Sequence, residues 1–345
     1  MTAPLGADPA VVGPYLAGVL DDPAWRGCTV EAIAGGRSNL TYAVTSPAGA
    51  LVLRRPPVRA VRPTAHDMAR EHRVISALAG TAVPVPRAVH LCTDPGVLGA
   101  PFYVMERVDG VVARGTLPPG YADGAPEREA MTDGLIAVLA DLHAVRPEDV
   151  GLADFGRPEG FLTRQVRRWR GEWDALRDRD RPELDRLGED LAGAVPDNPS
   201  GSVVHGDYRL DNVLLDPADP GRVAAVLDWE MSTLGDPLAD LGLLIVYWRR
   251  GEEGDVSTVV PSVTSLPGFP DAAEVVRRYA ERAGRDVSAL PWYVALGFFK
   301  LAVVVAGIAA RQRAGATAER VDGVAGIIDP LVSAGRRALA GREPA

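Results

Sequence analysis

The chain has 345 residues, of which 47% are apolar and 24% are charged, and this length is sufficient for about two domains with buried cores. Its formal net charge of −9 argues against a nucleic-acid-binding protein, which needs a basic face to neutralise phosphates. The two cysteines, Cys28 and Cys92, form no C-x-x-C motif, so neither a disulfide framework nor a zinc site is expected.

The first third of the chain is predicted to be rich in β-strands. Runs of β-branched residues separated by turn residues predict an antiparallel meander, and apolar residues at helical spacing predict two helices beside it. The predicted helices cover residues 9–20 and 66–78. The predicted strands cover residues 29–33, 40–45, 51–54, 88–92 and 102–107.

The rest of the chain is predicted to be mainly helical, with one short β insert at residues 203–227. The predicted helices cover residues 131–144, 161–192, 238–250, 271–283, 291–312 and 318–340. The sequence therefore predicts an α+β fold with two lobes. An antiparallel β-sheet N-lobe covers residues 1–106, and a mainly helical C-lobe covers residues 107–345.

The segment from Trp292 to Ala310 is nearly all apolar and approaches the length of a membrane span. Lys300 lies near its middle, where a cation would cost about 2.5–3.5 kcal/mol in a bilayer. We therefore expect a buried helix and no membrane span. The N-terminus lacks the basic region of a secretory signal, and a cytoplasmic location is expected.

The stretch from His205 to Asn212 places Asp207 five residues before Asn212, on a loop between two strand-like runs. Asp228 ends the second strand of the following hairpin, whose pairing would bring it close to Asn212. Phosphoryl transfer needs a carboxylate that orients the acceptor hydroxyl group, and hard oxygen ligands that hold Mg²⁺ against the phosphates. We therefore expect Asp207 to be the catalytic residue, and Asn212 and Asp228 to be the metal ligands.

These motifs resemble those of the aminoglycoside phosphotransferase / choline kinase-like family. The spacing from His205 to Asn212 is that of the kinase catalytic loop, and Asp228-Trp229-Glu230 occupies the place of Asp-Phe-Gly. The resemblance covers about residues 28–310. It implies a protein-kinase-like fold and an enzyme that uses ATP and Mg²⁺.

For three polar residues in or near these motifs, a structural role is the alternative to a role in the reaction. His205 is expected to form structural hydrogen bonds rather than to act as a base. Asp236 precedes Pro237 at a predicted helix start and suits a helix cap. Asp240 suits a buried carboxylate that braces the catalytic loop.

The N-lobe resemblance supplies the predicted nucleotide-binding residues. Residues 35–39, which include Ser38 and Asn39, lie between two strands as a phosphate-covering loop would, and a simple hairpin turn is the alternative. Arg54 stands where kinases carry the phosphate-contacting lysine, and it retains the positive charge. The neighbouring Arg55 is expected to point to the opposite face of the strand.

The resemblance assigns three further residues to the nucleotide site. Glu71, on the helix after the Arg54 strand, is expected to pair with Arg54 as the Lys–Glu pair does in kinases. A solvated helical glutamate is the alternative for this residue. Tyr103 to Val108 resembles the hinge, whose backbone around Glu106 and Val108 would bind adenine.

Other stretches resemble the kinase-like domain that precedes acyl-CoA dehydrogenase in fusion proteins. They are residues 35–42, 53–57, 70–75 and 164–173. This branch implies a small-molecule acceptor of the hydroxyacyl-CoA or hydroxy-acid type. An aminoglycoside or macrolide O-phosphotransferase is the alternative, and a nucleotide-binding pseudokinase is the alternative from another class. No P-loop or Rossmann glycine motif occurs.

The predicted substrate helices carry an aromatic and basic set of residues, which favours an anionic or amphiphilic acceptor over a polycation. The set comprises Tyr247, Trp248, Arg249, Arg250, Trp292, Tyr293, Phe298 and Lys300. The arginines at 164, 167, 168 and 170 could also contact an anion. The alternatives are that the aromatic residues belong to the core and that the arginines form a solvated helix face.

Overall fold

A computed structural model of the chain describes residues 4–33, 39–58, 67–176, 181–197, 201–248, 262–315 and 323–341. The chain divides into two compact units. Unit 1 comprises Met1–Asp109 and Ala224–Ser232, and unit 2 comprises Gly110–Val223 and Thr233–Ala345. The sequence prediction drew a single boundary after residue 106, whereas unit 1 also includes the segment that contains Asp228.

Unit 1 is built on a five-stranded antiparallel sheet with the strand order β1-β2-β3-β5-β4. The strands are β1 (Thr29–Ala32), β2 (Leu40–Ser46), β3 (Gly49–Arg55), β4 (Ala88–Cys92) and β5 (Phe102–Glu106). A tight turn joins β2 to β3, where Gly49 adopts a φ of 135°. All five predicted strands of this region are confirmed, with ends that differ by one or two residues.

Three helices accompany the sheet of unit 1, namely α1 (Pro9–Val19), α2 (Met68–Leu78) and the short α3 (Pro95–Leu98). The carboxylate of Asp67 accepts a hydrogen bond from Arg70 N (3.0 Å) and caps α2, so the helix begins at Met68. This start is two residues later than predicted, and His66 lies outside the described residues. The buried face of α2 includes Glu71, which is a charged residue among apolar ones.

Unit 2 is mainly helical. Its helices are α4 (Ala125–Ala144), α5 (Phe161–Leu176), α6 (Pro182–Gly193), α7 (Leu238–Trp248), α8 (Ala272–Ala283), α9 (Leu290–Arg313) and α10 (Ile328–Leu339). The short strands β6 (Ser202–Val204) and β9 (Thr233–Gly235) pair antiparallel, and β7 (Val213–Leu215) lies in the same unit. Strand β8 (Val223–Val226) begins at the last residue of the first segment of unit 2, and its residues from Ala224 onward belong to unit 1. The single helical region predicted over residues 161–192 is two helices. The last predicted helix begins at Ile328, after a 3₁₀ turn over Val324–Ile327.

The core of unit 2 is centred on α9, which packs against α7 and α10. Gly242 of α7 allows a close approach, because a Cβ atom there would lie 2.7 Å from the backbone of Tyr293. By length and composition α9 could cross a membrane, but 78% of its most apolar stretch is buried inside the protein. The two free cysteines, Cys28 and Cys92, are both buried in unit 1.

Candidate active site

Arg54 of β3 lies at the centre of a polar network in unit 1. Its Nε atom forms an ion pair with Glu71 Oε2 at 2.8 Å, which confirms the predicted pairing with α2. Its Nη2 atom donates to Asp228 Oδ1 and lies 3.6 Å from Glu230 Oε2. The next residue, Arg55, extends to the opposite face, where it donates to backbone carbonyl groups. Because successive side chains of a strand point to opposite faces, Arg54 is the functional candidate and Arg55 has a structural role.

Glu71 is satisfied by side chains from three elements. Besides Arg54, it accepts hydrogen bonds from Asn39 Nδ2 (2.9 Å) and from the Tyr103 hydroxyl group (3.0 Å). Asn39 Nδ2 also donates to Glu230 Oε2 (2.9 Å), so one amide links two carboxylates. Burial raises the pKa of the Glu71 carboxyl group more than Arg54 and Tyr103 lower it. Glu71 is therefore a network residue rather than a solvated helical glutamate.

Asn39 retains one polar atom that the described residues leave unsatisfied. Its Oδ1 is buried and has no hydrogen-bond partner among the residues that the structure describes. A buried acceptor without a donor is costly, and it suits a bound group that carries a hydrogen-bond donor. Ser38, the other loop residue assigned to the nucleotide site, lies outside the described residues with Gly35, Gly36 and Arg37.

Asp228 adopts a backbone conformation that is unusual for a residue with a side chain. Its φ of 65° and ψ of 59° are left-handed, and a 3₁₀ turn over Trp229–Met231 follows it. The buried Trp229 anchors this turn through a hydrogen bond from Nε1 to Val226 O (3.0 Å). Such a conformation costs on the order of 1–3 kcal/mol and is typical of functional sites. The turn thus presents Asp228 and Glu230 to the same arginine.

The predicted hinge residues lie at the end of β5 and beyond it. Glu106 is exposed, and its backbone N–H donates to Arg87 O (2.9 Å). The N–H group of Glu106 is therefore engaged within the protein, and contact between this residue and adenine would depend on its carbonyl group. Val108 is partly buried.

In unit 2 the loop that precedes Asp207 is braced by Asp240, in the first turn of α7. Asp240 Oδ2 accepts from His205 N (2.6 Å) and Oδ1 accepts from Gly206 N (2.7 Å). His143 Nε2 lies 3.3 Å from Asp240 Oδ2, and its Nδ1 lies 2.7 Å from the Tyr279 hydroxyl group. Burial raises the pKa of Asp240, but His143 and the His205 amide outweigh it, so the net shift is downward. The bracing role expected for Asp240 is confirmed.

Asp207 follows this brace and contacts Asn212. Its backbone N–H donates to His205 Nδ1 (3.2 Å), and Asn212 Nδ2 donates to both Asp207 O (2.8 Å) and Asp207 Oδ2 (3.0 Å). The side chain of Asp207 is 28% exposed, whereas His205 is fully buried. Of these two residues, only Asp207 has an accessible side chain, and His205 has the structural role expected of it. Because Nδ2 of Asn212 is engaged, Oδ1 is the atom suited to a metal ion.

Asp236 has a structural role. Its Oδ1 accepts a hydrogen bond from Leu238 N (3.0 Å), which caps α7, and its Oδ2 accepts one from the Tyr293 hydroxyl group. The residue is 2% exposed. The helix-cap alternative for Asp236 is therefore confirmed.

Arg209 is a site residue that the sequence analysis missed. Its Nη2 lies 3.2 Å from Asp211 Oδ2, and its Nε lies 3.6 Å from Asp207 Oδ2. The guanidinium group is centred 4.6 Å from the ring of Tyr247. The available signal was a cation two residues after Asp207 on the same loop. Arg209 adds positive charge directly beside the predicted catalytic carboxylate.

Most of the predicted acceptor-binding aromatic residues belong to the core. Their side chains are 5% exposed or less, so periodicity alone did not distinguish a buried helix face from a pocket. They are Trp248, Trp292, Tyr293 and Phe298. Arg249 and Arg250 lie outside the described residues. Of the α5 arginines, Arg164 donates to backbone carbonyl groups, and the other three are exposed.

The structure thus brings the predicted site residues together in two groups. In unit 1, one network contains Asn39, Arg54, Glu71 and Asp228. In unit 2, Asp207 and Asn212 are in contact. Arg54 is surrounded by three carboxylates, and their excess of negative charge favours the approach of a cation.

Comparison with known proteins identifies relatives of this chain. Acyl-CoA dehydrogenase family member 11 of Homo sapiens is 34% identical over 319 residues, which are 89% of this chain. The chain spans 39% of the length of that relative. A crystal structure of a candidate aminoglycoside phosphotransferase from Ralstonia eutropha superposes with a TM-score of 0.78 at 33% identity. That match covers 91% of this chain and 93% of the Ralstonia chain.

A more distant structure shares the fold. Aminoglycoside phosphotransferase APH(4)-Ia, in a ternary complex with AMP-PNP and hygromycin B, gives a TM-score of 0.62 at 16% identity. The match covers 94% of this chain and 98% of that chain, and the predicted protein-kinase-like α+β fold is confirmed. The profile of the phosphotransferase enzyme family matches residues 29–293. The chain is therefore a member of the phosphotransferase enzyme family.

Proposed function

We propose that the chain transfers the γ-phosphoryl group of ATP to a hydroxyl group of a small molecule. Asp207 orients the acceptor hydroxyl group and accepts its proton, a step that typically contributes about 10²–10⁴-fold to the rate. Arg54 contacts the phosphates, and the segment around Glu106 and Val108 binds adenine. The proposal is supported by the match to the phosphotransferase enzyme family, which covers residues 29–293.

The observation that carries this proposal is the contrast between Asp207 and the loop around it. The Asp207 carboxylate is 28% exposed, while its neighbour His205 is buried and Asp240 fixes two adjacent backbone N–H groups. A rigid backbone with one accessible carboxylate is the arrangement that orientation of a hydroxyl group requires. An aspartate that served only as a turn residue would need no such support.

The donor atoms of the proposed metal ligands suit Mg-ATP in their chemistry. Asn212 Oδ1 and the Asp228 carboxylate are hard oxygen donors of the kind that Mg²⁺ takes, together with phosphate oxygens. When bound, the metal would neutralise the charge on the transferring phosphoryl group. Among the described residues no group of three or more His, Cys, Asp or Glu side chains could hold a metal ion by itself. Because Mg²⁺ is usually bound through one or two side-chain ligands together with substrate phosphates, its binding is expected to depend on the nucleotide.

We propose a hydroxyacyl-CoA or related hydroxy acid as the acceptor. Relatives at 33–34% identity are named acyl-CoA dehydrogenase family members, although this chain spans only 39% of their length. Arg209 beside Asp207 also suits an anionic acceptor better than a polycation. An aminoglycoside or macrolide is the second candidate, since the Ralstonia relative is described as a candidate aminoglycoside phosphotransferase. The activity is expected in the cytoplasm, where ATP is available.

Mass spectrometry of a mixed acceptor panel tests the proposal. The protein would be incubated with Mg-ATP and a mixture of hydroxyacyl-CoAs, free hydroxy acids, aminoglycosides, macrolides and choline. We expect one compound class to gain a phosphoryl group, and Asp207→Asn to lower the rate about 10²–10⁴-fold with ATP still bound. Asp149→Asn, at an exposed carboxylate, is the matched control. Unchanged transfer by Asp207→Asn would contradict the mechanism, and no transfer by the wild type would favour a pseudokinase.

A further inference from the structure

Lys300 is the only lysine in the sequence, where the other 36 of the 37 basic residues are arginines. At all of its other basic positions the chain carries arginine. Lysine and arginine differ chemically, because the ammonium group is a compact point charge while the guanidinium group is a planar fork. The contacts of this one ammonium group are therefore of interest.

The surroundings of Lys300 make a cation unfavourable there. It lies near the middle of α9, between Phe299 and Leu301, both of which are at most 5% exposed. Burial lowers the pKa of Lys300 more than Asp207 and Asp240 raise it. A buried cation is costly unless it is paired or hydrogen-bonded. An apolar side chain of similar length would satisfy the packing of α9 without that cost.

The partner of Lys300 is the catalytic loop. Its Nζ donates to Gly206 O (3.0 Å), 94 residues earlier in the chain, and lies 5.7 Å from the centre of the Trp169 ring. Gly206 has a φ of 85°, in the region where glycine is freest. Its N–H group is already held by Asp240 Oδ1 (2.7 Å). Lys300, which is partly buried, holds its carbonyl group, so both polar atoms of Gly206 are fixed by side chains from α7 and α9.

We propose that Lys300 is a positioning residue for phosphoryl transfer. Its ammonium group holds the peptide that joins Gly206 to Asp207 and thereby orients the Asp207 carboxylate toward the acceptor hydroxyl group. This role rests on the proposed function of Asp207. It explains why a position in an apolar helix carries the single lysine of the chain, since a compact ammonium group donates to one carbonyl oxygen with little demand for space.

Hydrogen exchange tests the structural part of this role without any acceptor. In full-length Lys300→Met we expect the amides of residues 203–213 to exchange about tenfold faster or more, which corresponds to the loss of a charged hydrogen bond. The melting temperature should change little, because loss of the hydrogen bond to Gly206 O is offset by removal of a partly buried charge. Arg311→Met, at an exposed position of the same helix, is the control. Unchanged exchange in residues 203–213 would overturn the proposal, as would faster exchange throughout unit 2.

Kinetics test the catalytic part on whichever panel acceptor the wild type phosphorylates. We expect Lys300→Met to lower kcat about 10²-fold, the typical effect of displacing a reacting group by about 1 Å. The KM for ATP should change less than about twofold, and Lys300→Arg should recover part of the lost rate because it retains a cationic donor. A loss confined to the KM for ATP, or an unaltered kcat, would overturn the positioning role. If the wild type phosphorylates nothing, the proposed function fails, while the exchange experiment still decides whether Lys300 holds the loop.

Discussion

Glu71 of unit 1 and Asp240 of unit 2 are both buried carboxylates beside predicted site residues, but their partners differ. Glu71 is held by three side chains, those of Arg54, Asn39 and Tyr103. Asp240 accepts from two backbone N–H groups and lies beside His143. Side-chain partners can exchange when a charged ligand arrives, whereas backbone amides cannot leave without moving the loop.

This difference matches the tasks proposed for the two networks. Arg54 must turn from carboxylates toward phosphate oxygens when ATP binds, and an exchangeable network allows that rearrangement. Asp207 must keep one orientation, and a loop fixed at His205 and Gly206 provides it. The opposite pKa shifts of the two carboxylates follow from the same contrast. Desolvation prevails for Glu71, while His143 and the His205 amide prevail for Asp240.

The largest expected effect on stability is that of Asp240→Ala. Removal of this carboxylate leaves the amides of His205 and Gly206 without an acceptor and leaves His143 Nε2 without its partner. Loss of one partner from such a buried set typically costs about 3–5 kcal/mol. Urea denaturation would measure the change in the free energy of unfolding. Asp149→Ala, at an exposed carboxylate, should change it by less than about 0.5 kcal/mol, and an equally small change for Asp240→Ala would show that the brace is dispensable.

The sequence predicted the contacts that a known pairing or a short loop encodes, and it missed a contact between residues far apart in the chain. The Arg54–Glu71 pair was predictable because it repeats a known kinase pairing, and the Asp207–Asn212 contact was predictable because five residues on one loop separate them. Lys300 and Gly206 are 94 residues apart, and no local pattern connects them. The composition of the chain, with one lysine among its basic residues, was the available signal for Lys300.

Replacement of each carboxylate by its amide should lower the free energy of unfolding by a smaller amount. The loss should be larger for Asp240→Asn than for Glu71→Gln. In Asp240→Asn the new NH₂ group replaces one of two acceptors of backbone N–H groups, and an unsatisfied buried donor costs about 1–3 kcal/mol. In Glu71→Gln the amide oxygen can still accept from Asn39, and the NH₂ group can donate to the Tyr103 oxygen, but the ion pair of Arg54 Nε with this side chain is lost. Arg54 keeps Asp228 and Glu230 as partners, so the expected cost is about 1 kcal/mol, smaller than that of Asp240→Asn. Thermal and urea denaturation of both variants would compare them, and equal costs would show that the two networks do not differ in rigidity.

The smallest expected effect is on the pH dependence of the free energy of unfolding. Asp240 and Glu71 should change it in opposite directions. The folded-state pKa of Asp240 is lowered, so its contribution is present above the ordinary aspartate value of about 3.9 and is lost as the pH falls through the folded pKa. The folded-state pKa of Glu71 is raised, so its contribution declines as the pH rises from about 4.3 through the folded pKa.

Each amide variant should therefore alter a different part of the curve of unfolding free energy against pH. Asp240→Asn is expected to flatten the curve below about pH 4, and Glu71→Gln is expected to remove a decline above about pH 4.3. Urea denaturation between about pH 3 and pH 8 would measure both, with each variant serving as the control for the other. Curves that stay parallel to that of the wild type would mean that neither carboxylate titrates differently in the folded state. The contrast between an exchangeable network and a fixed one would then have to rest on geometry alone.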